Sequence, residues 1–272
     1  MLGTSLRAAT LIAFAIAISW SSAPPSRAGE AEDSWPEIAN NAFNGRPLAD
    51  GSGLITLEMP ARAEDAAVVP VTMRVNLPSD DARTLKSLTL VIDENPSPVA
   101  ATFHVGPGVA MISTRVRVNS FTNVHVVAEL SDEKLYVVDT YVKASGGCSA
   151  PMANAAEDSA KIGQMQFRQF AKTDAEAASS AREAQVMIRH PNNSGLQRDQ
   201  VTLYYIPLFI VRQLRVWQGD QLVLEMDGGI SISENPNIRF SYVPNGASTF
   251  HAEAVDTNGH VFKSEWPVEP AT

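Results

Sequence analysis

Short runs of alternating apolar and polar residues, each closed by proline, glycine, asparagine or aspartate, fill most of this chain. A period of two is the signature of a half-buried strand. The runs Leu54–Met59, Val68–Val75, Leu85–Ile92, Ala101–Val105, Met111–Val118, Asn123–Glu129 and Leu135–Val142 all read this way. Between them stand Asn76-Leu77-Pro78-Ser79-Asp80, Asn95-Pro96-Ser97-Pro98 and Gly106-Pro107-Gly108. Short strands at regular spacing with turn signals between them predict a β-sandwich. The pattern returns after Glu183: Ala184–Arg189, Val201–Phe209, Val211–Trp217, Leu222–Met226, Ile230–Ser233, Ile238–Val243, Ser248–Val255 and Val261–Trp266 predict a second all-β unit. Pro207 makes the Val201 run an edge or a bend. Asp256-Thr257-Asn258-Gly259 reads as a hairpin turn.

Two segments depart from this pattern. Trp35, Ile38, Ala39 and Phe43 share one helical face, and Asn44-Gly45-Arg46-Pro47 stops the helix. The spacing predicts a short N-terminal helix that packs Trp35 and Phe43 on a sheet. Residues 151–182 are rich in alanine, glutamate, lysine and glutamine, and read as a partly helical linker. Within it, Asn154–Lys161 suits a short helix or a mobile link, Met165–Phe170 alternates like a strand, and Thr173–Arg182 suits an exposed connection. Ile92-Asp93-Glu94-Asn95-Pro96 recurs as Ile232-Ser233-Glu234-Asn235-Pro236. Asparagine before proline is pushed out of the helical region and starts a turn. The echo supports two related sandwiches, expected to meet face to face.

Residues 1–28 read as a secretory signal peptide: Arg7, an uncharged apolar run from Ala8 to Ser19, then Ser26-Arg27-Ala28. The apolar run is short for a membrane span. Its removal takes two arginines and no acid, and moves the formal charge from −9 to −11. A soluble, exported, periplasmic protein is expected, with no membrane span after cleavage. Its acidity disfavours nucleic acid and anionic membranes as partners and suits a basic protein.

Cys148 is the single cysteine of the chain, so an internal disulfide is impossible. An odd thiol in an oxidising compartment is buried, paired with another molecule, or chemically used. Its surroundings, Ala144-Ser145-Gly146-Gly147-Cys148-Ser149-Ala150-Pro151, hold no bulky side chain. They follow the strand-like Leu135–Val142. Two readings stay open: a small inert buried residue, or a working thiol on an uncrowded loop. In the second reading Gly146 and Gly147 form a hinge, and Lys143 is the nearest positive charge in sequence.

Other chemistry is thinly represented. His104, His125, His190, His251 and His260 show no metal-ligand spacing, and one cysteine excludes a cysteine-rich zinc site. His104 and His125 read as hydrogen-bonded sheet residues. His190 heads a turn and would suit assistance to a thiol, but nothing in the sequence brings it to Cys148. No serine–histidine–acid signature, phosphate-binding glycine loop or dinucleotide fingerprint occurs. Neither a metal nor a cofactor is expected.

A cysteine after two glycines, closing a sandwich domain, resembles the carrier arm of SoxY, a sulfur-carrier subunit of bacterial periplasmic sulfur oxidation. The second half resembles its partner SoxZ. His190-Pro191, Ser194-Gly195, Ile206-Pro207, Ile232-Ser233-Glu234-Asn235-Pro236 and Asp256…Gly259 fall in the order of that family. The whole is similar to fused SoxY–SoxZ carriers associated with quinoprotein dehydrogenases. The resemblance implies two immunoglobulin-like sandwiches in mutual contact: a SoxY-like domain over residues 29–150, ending in the cysteine loop, and a SoxZ-like domain over 183–272. It implies a non-catalytic protein with Cys148 as covalent carrier site, loaded and unloaded by periplasmic enzymes. The cargo would be small and sulfur-containing, within sulfur oxidation or quinoprotein dehydrogenase metabolism. The SoxY motif continues with two more glycines and ends the chain. Here Ser149-Ala150 follow and the chain runs on, which restricts the arm's sweep.

The alternative is a non-covalent adaptor or accessory factor for a periplasmic quinoprotein dehydrogenase, with an incidental cysteine. A thiol redox enzyme is disfavoured, because the chain holds no resolving cysteine. The carrier reading expects a solvent-reachable thiol. N-terminal sequencing of the exported protein is expected to begin at Gly29; a retained Met1 would contradict cleavage.

Overall fold

The computed structural model describes residues 33–78, 80–151, 161–171 and 180–269. The leader and the 152–160 and 172–179 parts of the expected linker lie outside them. A single α-helix, α1 (Trp35–Ala42), precedes fifteen strands among the described residues. These are β1 (Leu48–Asp50), β2 (Ile55–Glu58), β3 (Val69–Val75), β4 (Leu85–Ile92), β5 (Val99–Val105), β6 (Met111–Val116), β7 (Thr122–Leu130) and β8 (Leu135–Val142) in the first half. The second half holds β9 (Met165–Phe170), β10 (Arg182–Ile188), β11 (Val211–Gln218), β12 (Gln221–Gly228), β13 (Asn237–Tyr242), β14 (Thr249–Asp256) and β15 (Val261–Pro267). The fold is all-β, as the alternation predicts.

The strands form two sheets. One has nine strands in the order β1-β8-β7-β4-β5-β12-β11-β14-β15, the other six in the order β2-β3-β6-β13-β10-β9. Each half therefore supplies strands to both sheets and makes its own sandwich. The halves join edge to edge, which corrects the expected face-to-face meeting. β5 pairs antiparallel with β12 from Ala101↔Gly228 to Val105↔Leu224. β6 pairs with β13 through Ile112↔Phe240 and Ser113↔Arg239. The physical reason is that pairing covers strand edges that would otherwise expose unpaired N–H and C=O groups.

One apolar cluster runs between the sheets through both halves, from Val71, Leu88 and Ile112 to Leu214, Phe240 and Phe250. A second, smaller cluster lies outside it. There Phe43 and Ala39 of the helix pack on Val91, Val127 and Leu135, with Trp35 and Ile38 at its margin. The helix thus covers the outer face of the nine-stranded sheet, as its spacing predicts. Trp35 also stacks on His125 at 3.6 Å between ring centroids. His125 Nε2 lies 3.0 Å from Asp93 Oδ2, so this histidine is the hydrogen-bonded sheet residue expected.

Three differences from the sequence reading concern local structure. Val201–Phe209 makes no strand; it is a loop pinned by the isolated bridges Asn193↔Phe209 and Arg198↔Tyr205. Alternation there reflects an exposed turn-rich segment with Pro207, not a pleat. Ile230–Ser233 is likewise not a strand, although Ile232 makes one bridge to Val116. Leu48–Asp50 is a strand too short to show a period, and it runs parallel to β8.

Because both sheets and the main core cross the seam, the halves are expected to unfold together. Chemical denaturation followed by tryptophan fluorescence and by far-ultraviolet circular dichroism should give one coincident transition. Two separated transitions would contradict a shared core.

Candidate functional site

The cysteine loop leaves β8 and folds back onto the seam between the halves. Gly146 N–H donates to Asn119 O at 2.8 Å, and Gly147 N–H donates to Val118 O at 3.0 Å. Ser149 N–H closes a turn on Gly146 O at 3.2 Å. From the second half, Ser194 Oγ donates to Cys148 O at 2.5 Å. Gln197 Nε2 donates to Ala150 O at 3.2 Å. Arg117 Nη1 donates to Gly147 O at 3.2 Å. The loop is therefore docked from both sides.

The two glycines have separate roles, and neither is a free hinge here. Gly146 sits at φ +81°, with open space where a Cβ would stand; the backbone angle requires glycine. Gly147 is a close approach, since a Cβ there would lie 2.0 Å from Ala66 O and 2.7 Å from Val118 O. In this docked state both glycines fit the loop onto the 117–119 segment.

Cys148 is 0 % exposed, which corrects the expected solvent-reachable thiol. The small residues around it allow the loop to close over the sulfur rather than present it. Yet the thiol belongs to neither apolar cluster. Burial pushes its pKa up from 9.0 to about 11, against a weaker opposing pull from Arg117. The docked thiol is therefore protonated and a poor nucleophile. Lys143 is exposed; the positive charge that acts on the thiol is Arg117. Sequence reading misses that residue. The signal is faint: Arg115 and Arg117 alternate with Val116 and Val118, which reads as an ordinary solvated face.

His190 does not serve the thiol. It is buried, with Asn192 at 3.0 Å from Nδ1, Asp256 Oδ2 at 3.8 Å from Nε2 and the Phe209 ring at 4.3 Å. Burial lowers its pKa and keeps the imidazole neutral. The ring orders the turn that carries Ser194 and Gln197 instead. The two Asn-Pro echoes also act at the seam. Asn95 Nδ2 donates to Arg117 O and to Ser231 Oγ, each at 2.8 Å, and Asn95 Oδ1 accepts from Asn119 N–H at 2.8 Å. Asn235 Oδ1 accepts from His190 N–H at 3.1 Å, and its carbonyl accepts from Arg115 Nη2 at 2.9 Å. One asparagine fixes the segment under the cysteine loop, the other the turn beside it. Among the described residues no group of three or more His, Cys, Asp or Glu is placed to hold a metal ion. No helix there is long and apolar enough to cross a membrane.

Beside the loop lies an open cleft of about 540 Å³, lined by Ser149, Pro151, Leu196, Arg198, Leu203 and Tyr205 among others. Leu203 and Tyr205 of this lining are exposed, as are Val201, Tyr204 and Leu208 on the same stretch of chain.

Comparison with known families places the two halves. Residues 39–148 match the family model of the sulfur oxidation protein SoxY, and residues 171–267 match that of the sulphur oxidation protein SoxZ. The chain is thus similar to a SoxY domain followed by a SoxZ domain. The SoxY match ends on Cys148 itself. Among solved structures, the sulfur carrier protein SoxY from Chlorobium limicola f thiosulfatophilum is 28 % identical, with a TM-score of 0.35; the match covers 41 % of this chain and 91 % of that one. A superoxide reductase (neelaredoxin) from Ignicoccus hospitalis is 14 % identical with a TM-score of 0.29, over 33 % of this chain and 78 % of that one. No curated protein matches the sequence.

The buried thiol links stability to pH. Its raised pKa means that the folded state holds one more proton than the unfolded state between roughly pH 9 and 11. The stabilisation is complete below pH 9 and is lost as pH rises through 11. The slope in that window should be about 1.4 kcal/mol per pH unit, and Cys148→Ala should remove it. Denaturation midpoints from pH 7 to 11 check this. Cys148→Ser should cost about 1–3 kcal/mol, because it buries a stronger polar group, in place of the neutral change expected of an exposed site.

Proposed function

We propose that this SoxY–SoxZ fusion is an exported, periplasmic, non-catalytic carrier. It holds a small sulfur-containing group covalently on Cys148 and passes it between partner enzymes, in sulfur oxidation or beside a quinoprotein dehydrogenase system. The observation that carries the reading is the single thiol at the end of the SoxY match, on a loop that the SoxZ half holds through Ser194 and Gln197. A sulfur-oxidation carrier needs a thiol that is unreactive while docked and reactive when handed over. Burial and the raised pKa provide the first condition. Undocking the loop provides the second, by returning the sulfur to water and its pKa toward the ordinary range.

Loading then requires only exchange. The Cys148 thiolate attacks a sulfur of the donor's S–S bond. An Sγ–S bond forms, the donor's bond breaks, and the leaving group departs with the electron pair. No side chain of this protein needs to be an acid or base, and no external oxidant is consumed. The loop contributes position, and the hydrogen bonds to the Cys148 and Ala150 carbonyls act as its latch.

A second reading is favoured by the burial of the thiol together with the exposed Val201, Leu203, Tyr204, Tyr205 and Leu208. On that reading the protein is a non-covalent adaptor for a periplasmic quinoprotein dehydrogenase, and the cysteine is incidental. Intact mass of protein purified from its native periplasm without reductant separates the two. The carrier reading expects an adduct mapped to Cys148, and an unmodified thiol favours the adaptor. The latch gives an independent test. Each hydrogen bond is worth about 1 kcal/mol net, so Ser194→Ala and Gln197→Ala should each speed native thiol labelling roughly fivefold. Labelling that requires global unfolding in every variant would defeat the carrier reading.

A further inference from the structure

Arg117 is 0 % exposed, and its main chain is fully engaged. Its N–H donates to Ser231 O at 2.7 Å, and its carbonyl accepts from Asn95 Nδ2 at 2.8 Å. The guanidinium is not fully engaged. Nη1 donates to Gly147 O, but Nε and Nη2 are buried and meet no acceptor among the described residues. A guanidinium presents five N–H donors in a planar fork that matches an oxyanion bidentately. Leaving charged donors unpaired in a protein interior is costly, and buried unsatisfied groups are rare enough that each calls for a reason. A structural anchor for the loop would need only the Nη1 bond to Gly147.

The surroundings say what the remaining donors face. The acidic groups whose charge reaches Arg117 are Glu234, Cys148 and Asp65. Asp65 Oδ1 accepts from Ala67 N–H at 2.8 Å. Ser194 and Gln197 spend their side chains on the Cys148 and Ala150 carbonyls. The guanidinium is thus the cationic group beside the sulfur, fixed to the residue that precedes it. A group attached to Sγ of the docked loop would follow directly on the residue whose carbonyl Arg117 holds, and the charge of Arg117 already reaches the thiol.

We propose that Arg117 is the recognition residue for the anionic end of a group carried on Cys148, with Nε and Nη2 binding the oxygens of a sulfonate-type oxyanion attached through Sγ. The physiological use of this contact rests on the carrier reading; the contact itself does not. Arg117 makes docking of the loaded loop depend on charge. An anionic adduct is drawn in and shielded, whereas a neutral or cationic one leaves the donors unpaired and is held less well.

The test uses three synthetic methanethiosulfonates on the full chain, so it does not depend on the native cargo. They transfer ethylsulfonate, ethyltrimethylammonium or methyl groups as disulfides. In each the Cys148 thiolate attacks the sulfenyl sulfur, the Sγ–S bond forms, and methanesulfinate leaves with the electron pair. Wild type, Arg117→Met and Arg117→Lys are compared in two ways. The first is the ratio of anionic to cationic labelling rates, which cancels differences in loop opening. Arg117→Met should lower it about tenfold (about 1.4 kcal/mol), with Arg117→Lys intermediate. The second is the melting temperature of the purified adducts. In wild type the ethylsulfonate adduct should melt above the methyl and ethyltrimethylammonium adducts, and in Arg117→Met it should not. Should Arg117→Met fail to fold, the wild-type adducts decide alone. An ethylsulfonate adduct that melts no higher than the cationic one overturns the assignment, as does a labelling ratio unmoved by the substitution. An unmodified thiol in the native periplasm would sink the carrier reading and leave this result standing.

Discussion

Three consecutive residues, Arg117-Val118-Asn119, hold the seam and the cysteine loop together through their main chain. Arg117 N–H reaches Ser231 O across the seam, Val118 N–H reaches Ala66 O, and Asn119 N–H reaches Asn95 Oδ1. Their three carbonyls accept from Asn95 Nδ2, Gly147 N–H and Gly146 N–H respectively. Every main-chain donor and acceptor of the segment is thus spent. Each bond adds about 1 kcal/mol net, but an orphaned partner costs about 1–3 kcal/mol. The arrangement is therefore cooperative: displacing the segment would unpair both halves and the loop at once. The seam pairings β5–β12 and β6–β13 flank it, so the site is as rigid as the joint between the sheets.

The architecture is legible in the sequence where period and punctuation agree. β3, β4, β8, β11 and β14 are runs of β-branched and apolar residues bounded by turn residues, and each lies where the pattern puts it. The helix face of Trp35, Ala39 and Phe43 is equally readable, because burial of one face is what a 3.6-residue period means. Edge-to-edge joining is not readable. A strand's period tells which residues face the core, but its free N–H and C=O groups are identical along every edge. Val201–Phe209 misleads for a related reason. Its apolar residues are exposed, and a period alone cannot separate a half-buried strand from an apolar loop.

The cysteine loop shows the same limit more sharply. Gly146-Gly147-Cys148 reads as freedom to move, and its place after a strand and within a run of small residues is plain from the sequence. Small residues, however, serve two opposite ends: they let a loop move, and they let it lie close against another backbone. The 2.0 Å approach that a Cβ at Gly147 would make to Ala66 O belongs to the second case. Only the partner backbone distinguishes them, and that partner lies far away in sequence. The asparagine echo carries more than kinship between halves. Asn95 and Asn235 both hold the seam, so the repeat marks the joint.

On the carrier reading, a docked thiol with a pKa near 11 and an undocked one near the ordinary value would turn a conformational equilibrium into a reactivity equilibrium. The loop is tied at both ends, and it cannot travel as a free chain end would. On that reading it would lift, by breaking the bonds to Ser194, Gln197 and Arg117 while the pairing through Gly146 and Gly147 gives way in turn. If lifting costs a few kcal/mol, the open fraction falls to about one per cent or below, and any enzyme that reads Cys148 loses apparent affinity by that fraction. A partner regains it only by binding the open form better than the closed one. The surface best placed to supply that difference is formed by Leu203 and Tyr205 beside Ser149 and Pro151. Contacts made there, on the same turn that carries Ser194 and Gln197, would pull on the latch and recover the cost of opening. On this view the second half does not merely accompany the cysteine: it sets the free energy at which the thiol becomes available.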